Sequence, residues 1–484
     1  MLSLSRCRLV FSGHHYGRQA QHRLLKYSFS SVADGDRMVV ECVDMSTNGL
    51  GICKNPVNSQ VVFVPDTYPG EIADIEITGK KKKITYGSKV KTLKSHDGGC
   101  EPLCNHFGMC GGCQLQVLEY QHQLRLKAKK VMDAFKRIGG IEVSGVVEDI
   151  EGCDDTYYYR NKVEFSVDSI RGIIGKHIQG SSTVLTAVEK CVLQSKSAHS
   201  IYEDLRGYIL KDEQLLEEIQ YVVIRSSRAH DKVLVNIVTR KNFTRSLKPL
   251  GEYLAEHHPE RLSGVVNSVS DSTRPLEERQ IIHEHVVWGT PWLMEQLGSC
   301  MYRISPNSFF QVHTAQTEKM YDFVLNAVDG HVGKDSVVLD LYCGTGTISI
   351  HLAQRAKYVY GVEISESSIK DALYNAELNN ADNVEFVRGD VGRVIDTMAG
   401  NLPDAIVVDP ARKGLSSNAV QGILKIRPTL IVYVSCHVAT QARDIKQIVD
   451  SGQYDIVSVK PFDLFPQTIH VENVVVCKRK DTMI

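Results

Sequence analysis

Past about residue 301 the sequence keeps one rhythm to its end. Val337–Leu341, Val359–Ile364, Val384–Val387, Ala405–Val408 and Leu430–Val434 are short β-branched runs, and the stretches between them carry helical spacing. Parallel strands need crossovers of that length, so the pattern predicts a parallel sheet with helices on both faces. Residues 301–484 are thus expected to form a Rossmann-like α/β domain. In such a sheet, ligands sit in the crevice beyond the carboxyl ends of the strands.

A chain of 484 residues is longer than one such domain requires. Residues 34–96 hold close-set runs, Met38–Val43, Val61–Val64 and Ile72–Ile77, punctuated by Asn48-Gly49, Pro65-Asp66, Pro69-Gly70 and Gly79. That spacing predicts a small OB-like β-barrel. Lys80, Lys81, Lys82, Lys83, Lys89, Lys91 and Lys94 crowd its end. They read either as a phosphate-contacting stripe or as a solvated edge that resists strand pairing. Residues 97–300 open with clustered cysteines and a Lys/Arg-rich helical pattern from Leu118 to Ile138. They then mix strands (Lys162–Val167, Gln220–Ile224, Lys232–Val238) with amphipathic helices, an α+β central domain.

Residues 1–33 contain Arg6, Arg8, Arg18, Arg23 and Lys26, six serines and no acid. This is the composition of an organelle transit peptide, with a mitochondrion expected and a plastid the alternative. No run approaches the ~18 apolar residues of a membrane span, so no membrane partner is expected. The net charge is −1, and a nucleic-acid partner would have to be held by a local basic face. Thirteen cysteines diluted over this length suit reduced thiols with metal or catalytic roles better than a disulfide scaffold.

The run Asp340-Leu341-Tyr342-Cys343-Gly344-Thr345-Gly346-Thr347 directly follows the first strand of the C-terminal series. Gly344 and Gly346 allow a tight turn and a close approach to a ligand. Ser349 stands where a dinucleotide fingerprint has its third glycine, which argues against NAD. Glu363 ends the second strand, where an acid can accept from ribose hydroxyls, and Asp390 ends the third, where it can meet an adenine edge. Together these features resemble the S-adenosylmethionine (SAM) site of Rossmann-like methyltransferases. Asp409 and Cys436 end strands four and five and should face the same crevice. A helix beginning near Val438 would favour a Cys436 thiolate. Glu472, before the strand Val474–Cys477, offers a carboxylate base.

A nucleophilic thiol, a base and a methyl donor suit one reaction well. Carbon 5 of uracil is a poor nucleophile until a thiolate adds at carbon 6. Methyl transfer can then occur, and a base must remove the carbon 5 proton before the thiol is eliminated. From about residue 37 onward the chain resembles the RNA uracil-5-methyltransferase family. The resemblance rests on Ser305-Pro306-Asn307-Ser308-Phe309-Phe310-Gln311, Asp340–Gly346, Asp409–Gly414, Val434–Cys436 and His470–Val474. It implies 5-methyluridine formation in tRNA or rRNA, with Cys436 as nucleophile and Glu472 as base. It further implies SAM contacts by Gln311, Tyr342, Glu363, Asp390 and Asp409, alongside the glycines Gly344 and Gly346. Residues 34–96 would be the family's RNA-binding TRAM barrel. The protein is expected to act as a monomer.

Cys104, Cys110 and Cys113 stand in a C-x5-C-x2-C spacing, and three thiolates so close call for a cation. Spacing alone leaves zinc open, with Cys100 or His106 as fourth ligand. The resemblance implies instead a [4Fe–4S] cluster completed by the distant Cys191, as in a subset of the family. Two other functions compete. Amine methylation would call for an Asn/Asp-Pro-Pro-aromatic motif, where this chain has Asp409-Pro410-Ala411-Arg412. A non-catalytic RNA-binding or RNA-folding factor would leave the joint presence of nucleophile, base and SAM contacts unexplained.

Overall fold

A computed structural model of the chain describes residues 35–82, 84–271, 280–398, 400 and 403–481. The leader over 1–33 and Lys83 lie outside the described residues. The chain divides into two compact units, one ending at Gly99 and the other beginning at Cys100.

The first unit is a closed barrel of β1 (Arg37–Met45), β2 (Gly51–Lys54), β3 (Val61–Val64), β4 (Ile72–Lys81) and β5 (Ile84–Lys94), in the order β1-β2-β3-β5-β4. Period-2 alternation turns Val40, Cys42, Val62, Val64, Ala73 and Ile75 inward, and closure removes exposed edges. Among the described residues, the lysines differ in exposure. Lys89 is half-buried and bonds the Glu71 carboxylate at 2.8 Å, and Lys91 stands opposite Asp74 across the β4–β5 ladder. Lys80, Lys81, Lys82, Lys91 and Lys94 remain exposed, the first three at the β4–β5 turn.

The second unit holds two seven-stranded sheets. One contains β6 (Lys162–Asp168), β7 (Ile173–His177), β8 (Leu185–Ala187), β9 (Ile219–Ser226), β10 (Val233–Thr239), β11 (Leu262–Ser270) and β12 (Ile281–Gly289), ordered β12-β11-β10-β9-β6-β7-β8. A hairpin, β13 (Leu293–Leu297) and β14 (Cys300–Ile304), follows. The other sheet contains β15 (Val337–Leu341), β16 (Tyr358–Glu363), β17 (Val384–Arg388), β18 (Ala405–Val408), β19 (Leu430–Ser435), β20 (Tyr454–Phe462) and β21 (Glu472–Arg479). Its order is β17-β16-β15-β18-β19-β21-β20, with β17 through β19 parallel and the last two strands antiparallel.

Both faces of the second sheet are covered, which explains why its runs are apolar throughout. Val338, Val407 and Val432 pack into one core, and Leu339, Ile406 and Ile431 into the other. Strand order reverses between β15 and β18, the topological switch point where the crevice opens. The basic helix spans Tyr120–Ala134 and continues as a short π-helix, Phe135–Gly139, before Gly140 ends it at a positive φ of 63°.

Candidate active site

The turn after β15 is built from left-handed backbone. Tyr342, Gly344 and Gly346 have φ of 65°, 56° and 79°, which the two glycines adopt without the cost a side chain would bring. A Cβ at Gly346 would also stand 2.7 Å from the Phe386 ring, so this position admits nothing larger. The Ser349 hydroxyl is engaged within the fold, where it donates to the buried carboxylate of Asp340. Burial pushes Asp340 up to about 7, and Ser349 partly offsets that. Glu363 accepts from the Gly344 amide at 3.2 Å and the Ser365 amide at 2.7 Å, which fixes it across the glycine turn. Asp390, just past β17, is close enough to Tyr342 to help burial raise that phenol to about 12. The Gln311 side chain bonds Asp409, and Asn161 holds the Gln311 carbonyl at 2.8 Å. The sequence-predicted residues Gln311, Tyr342, Gly344, Gly346, Glu363, Asp390 and Asp409 thus gather around the carboxyl ends of β15 to β18.

Register explains how Cys436 meets Glu472. On the antiparallel pair β19 and β21, Val434 faces Val474 and Ser435 faces Asn473. One more step brings Cys436 opposite Glu472. Cys436 is half-buried, and Glu472 is 2% exposed with its Oε2 left without a hydrogen-bond partner. Burial, then Asp409, pushes Glu472 well above the carboxylate range, while Arg412 opposes the shift. Burial also pushes Asp409 up to about 7.

The expected thiolate needs correction. A helix does begin at Val438, but burial, then Glu472 and Asp409, pushes the Cys436 thiol up to about 12. Two nearby acids and poor solvation outweigh the helix N-terminus. The free site therefore stores protons: a neutral thiol beside carboxyls that ionise reluctantly.

The Tyr120–Ala134 helix braces the loop that leads into Glu472. Lys127 and Asp463 form an ion pair at 2.6 Å, with side-chain exposures of 1% and 0%. Gln123 accepts from the Gln467 amide at 2.9 Å, and Tyr159 donates to the Pro466 carbonyl at 3.1 Å. Lys130 donates to the Ile469 carbonyl at 2.9 Å. Arg412 donates to His470 Nδ1 at 3.0 Å, and burial with four nearby cations drives His470 down to about 3. Sequence reasoning gives Arg412, Lys130, Lys127 and His470 no role. Arg412 carries a signal, since it lies inside Asp409–Gly414, but the lysines sit in an ordinary basic helix.

The cysteine loop is stitched to β7. The Gly111 amide donates to the His177 carbonyl at 2.9 Å, and Gln179 to the Met109 carbonyl at 3.1 Å. Cys191, remote in sequence, comes within electrostatic reach of Cys104, Cys110 and Cys113. Burial raises all three thiols, Cys113 to about 12. The charged groups acting most on Cys100 are Glu119 and Glu101, and it bonds the Gln116 carbonyl at 3.3 Å. Two half-buried cations, Arg160 and Lys176, lie within electrostatic reach of the thiols. Among the described residues, no three His, Cys, Asp or Glu side chains converge as ligands of a single metal ion.

Residues 119–480 match a family model described as tRNA (uracil-5-)-methyltransferase. An uncharacterized RNA methyltransferase of Clostridium tetani is 34% identical over 443 residues, covering 89% of this chain and 94% of that protein. One from Bacteroides thetaiotaomicron is 34% identical over 462 residues, covering 89% and 99%. Among solved structures, the Pyrococcus abyssi tRNA (uracil-54, C5)-methyltransferase in complex with S-adenosyl-L-homocysteine aligns with a TM-score of 0.70 at 27% identity. That alignment covers 91% of this chain and 99% of that one.

Proposed function

Because the chain belongs to the tRNA (uracil-5-)-methyltransferase family and is an RNA methyltransferase, we propose that it methylates carbon 5 of a specific uridine through a covalent Cys436 adduct resolved by Glu472. The observation that carries this reading is the opposition of Cys436 and Glu472 across β19 and β21, beside Asp409 in the crevice. SAM supplies a methyl group on a cationic sulfonium. Gln311, Tyr342, Gly344, Gly346, Glu363, Asp390 and Asp409 would hold it, with Glu363 and Asp390 suited to ribose and adenine. A sulfonium bound near these acids would favour their ionised forms and would offset their pressure on the thiol.

A uridine flipped from its stack would lie between Cys436 and Glu472. Cys436 gives up its proton to solvent and adds as a thiolate at carbon 6, and density moves to carbon 5. After methylation, the Glu472 carboxylate removes the carbon 5 proton, and the Cys436–carbon bond breaks. Arg412 favours both anionic forms.

We propose the cysteine set as a [4Fe–4S] site of Cys104, Cys110, Cys113 and Cys191. A tetrahedral zinc would draw its sulfurs to within about 3.8 Å, given Zn–S of about 2.3 Å. No such single-ion grouping is found among the described residues, and the cluster reading rests on the family resemblance and on Cys191 coming within electrostatic reach of the other three thiols. Arg160 and Lys176 would balance its thiolates. RNA binding by the 34–96 barrel, a tRNA or rRNA target, the monomeric state and delivery to an organelle belong to the same reading.

Trapping tests the chemistry. RNA transcribed with 5-fluorouridine should give a SAM-dependent, denaturation-resistant protein–RNA band, because fluorine cannot leave as a proton. Cys436→Ala should abolish it. A Cys436→Ala protein that still methylates RNA would overturn the mechanism.

A further inference from the structure

We propose that Lys130 and Arg412 form a binding subsite for one phosphodiester of the substrate RNA, next to the uridine that Cys436 and Glu472 act on. The inference rests on the reading of those two residues given above. Lys130 donates to the carbonyl of Ile469 at 2.9 Å, and Arg412 to the ring of His470 at 3.0 Å. Consecutive backbone positions thus hold two cations, and the strand carrying Glu472 begins two residues later.

Neither cation is ion-paired with a carboxylate among the described residues. Their neighbours are: Lys127 has Asp463, and Arg443 has Asp444. Burial, Lys127 and Arg412 push Lys130 down to about 8, so the free protein bears a repulsion that an incoming anion would relieve. The flanking imidazoles add donors and no negative charge, while Arg412 also bonds the Cys436 thiol and lies within electrostatic reach of Glu472. Since Arg412 donates to His470 Nδ1, the neutral ring keeps its proton on Nε2, a third donor for an anion. His437 is likewise pushed towards neutrality by burial, Arg412 and Lys130. SAM carries no phosphate, whereas every uridine inside an RNA chain carries one on each side. A phosphate contact of this kind fixes the register of the strand and leaves the base to the crevice.

The test measures affinity for a short oligouridylate against salt, using the full chain and Lys130→Gln. The variant should bind roughly tenfold more weakly at low salt, and its slope of log affinity against log salt should be shallower by about 0.7. Lys130→Arg should restore most of both. On a methylphosphonate oligouridylate, whose backbone is neutral, wild type and Lys130→Gln should bind alike. Inorganic phosphate should compete with the RNA for wild type more strongly than chloride does at equal ionic strength. Unchanged slopes, or a Lys130→Gln loss that persists on the neutral backbone, would overturn the subsite. Adduct formation with 5-fluorouridine RNA separates the two claims. An adduct without a Lys130-dependent slope leaves the mechanism and removes the subsite; a slope without an adduct does the reverse.

Discussion

Glu472 carries two opposed duties, and its substitution should separate them. Its carboxylate is a like charge that makes the Cys436 thiol harder to ionise, and it is also the group that takes the carbon 5 proton. Glu472→Gln should therefore form the covalent RNA adduct and fail to release it. Turnover should fall by roughly 10²–10⁴, the usual worth of general base catalysis. Denaturing electrophoresis of Glu472→Gln with ordinary uridine RNA and SAM should show a persistent band, and free turnover would refute the role. The raised thiol gives a pH prediction of definite sign. With Cys436 pushed up to about 12, its alkylation by iodoacetamide in the free enzyme should keep rising through about pH 10 rather than level off near the ordinary thiol range. Asp409→Asn removes one of the two acids that raise it, so the same profile should shift to lower pH. A plateau near about pH 8 in wild type would mean that the site holds a thiolate after all.

Among the elements, the most exposed to failure is the brace between the Tyr120–Ala134 helix and the loop before Glu472. The Lys127–Asp463 pair is fully buried, so removing one partner strands a charge in apolar surroundings, typically at a cost of about 3–5 kcal/mol. Lys127→Met should lower the urea midpoint markedly, and Lys127→Met with Asp463→Asn should recover much of the loss. A double variant no more stable than the single would show that packing, not charge, governs the joint. This joint is invisible in the sequence, whereas the strands it serves are not. Runs such as Ala405–Val408 are continuous and apolar because both faces are buried, a local signature of a global fact. Cys436 and Glu472 can be named from their motifs, but their opposition is a matter of register between β19 and β21, which no local pattern encodes. The thiol's protonation escapes sequence reasoning for the same reason: the helix N-terminus is local, and the two acids that outweigh it arrive on other strands.

At the scale of the molecule, the charge balance sets the terms on which RNA can be held. With a net charge of −1, long-range attraction is weak, and binding has to come from local groups. Among the described residues, the barrel exposes Lys54, Lys80, Lys81, Lys82, Lys91 and Lys94, and Lys89 is withdrawn into its contact with Glu71. The second unit begins at Cys100 and contains every residue assigned to catalysis, SAM and the cluster. A protein spanning residues 100–484 should consequently bind SAM as the full chain does, with weakened RNA binding at low salt. Counterion release scales with the phosphates neutralised, so the two proteins should differ in the slope of log affinity against log salt, the full chain being steeper. Their affinities should approach each other as salt rises. Calorimetry for SAM and filter binding for RNA over a salt series would measure both. Equal slopes would assign the barrel lysines to solubility and sheet protection, and would leave recognition of RNA to the catalytic unit alone.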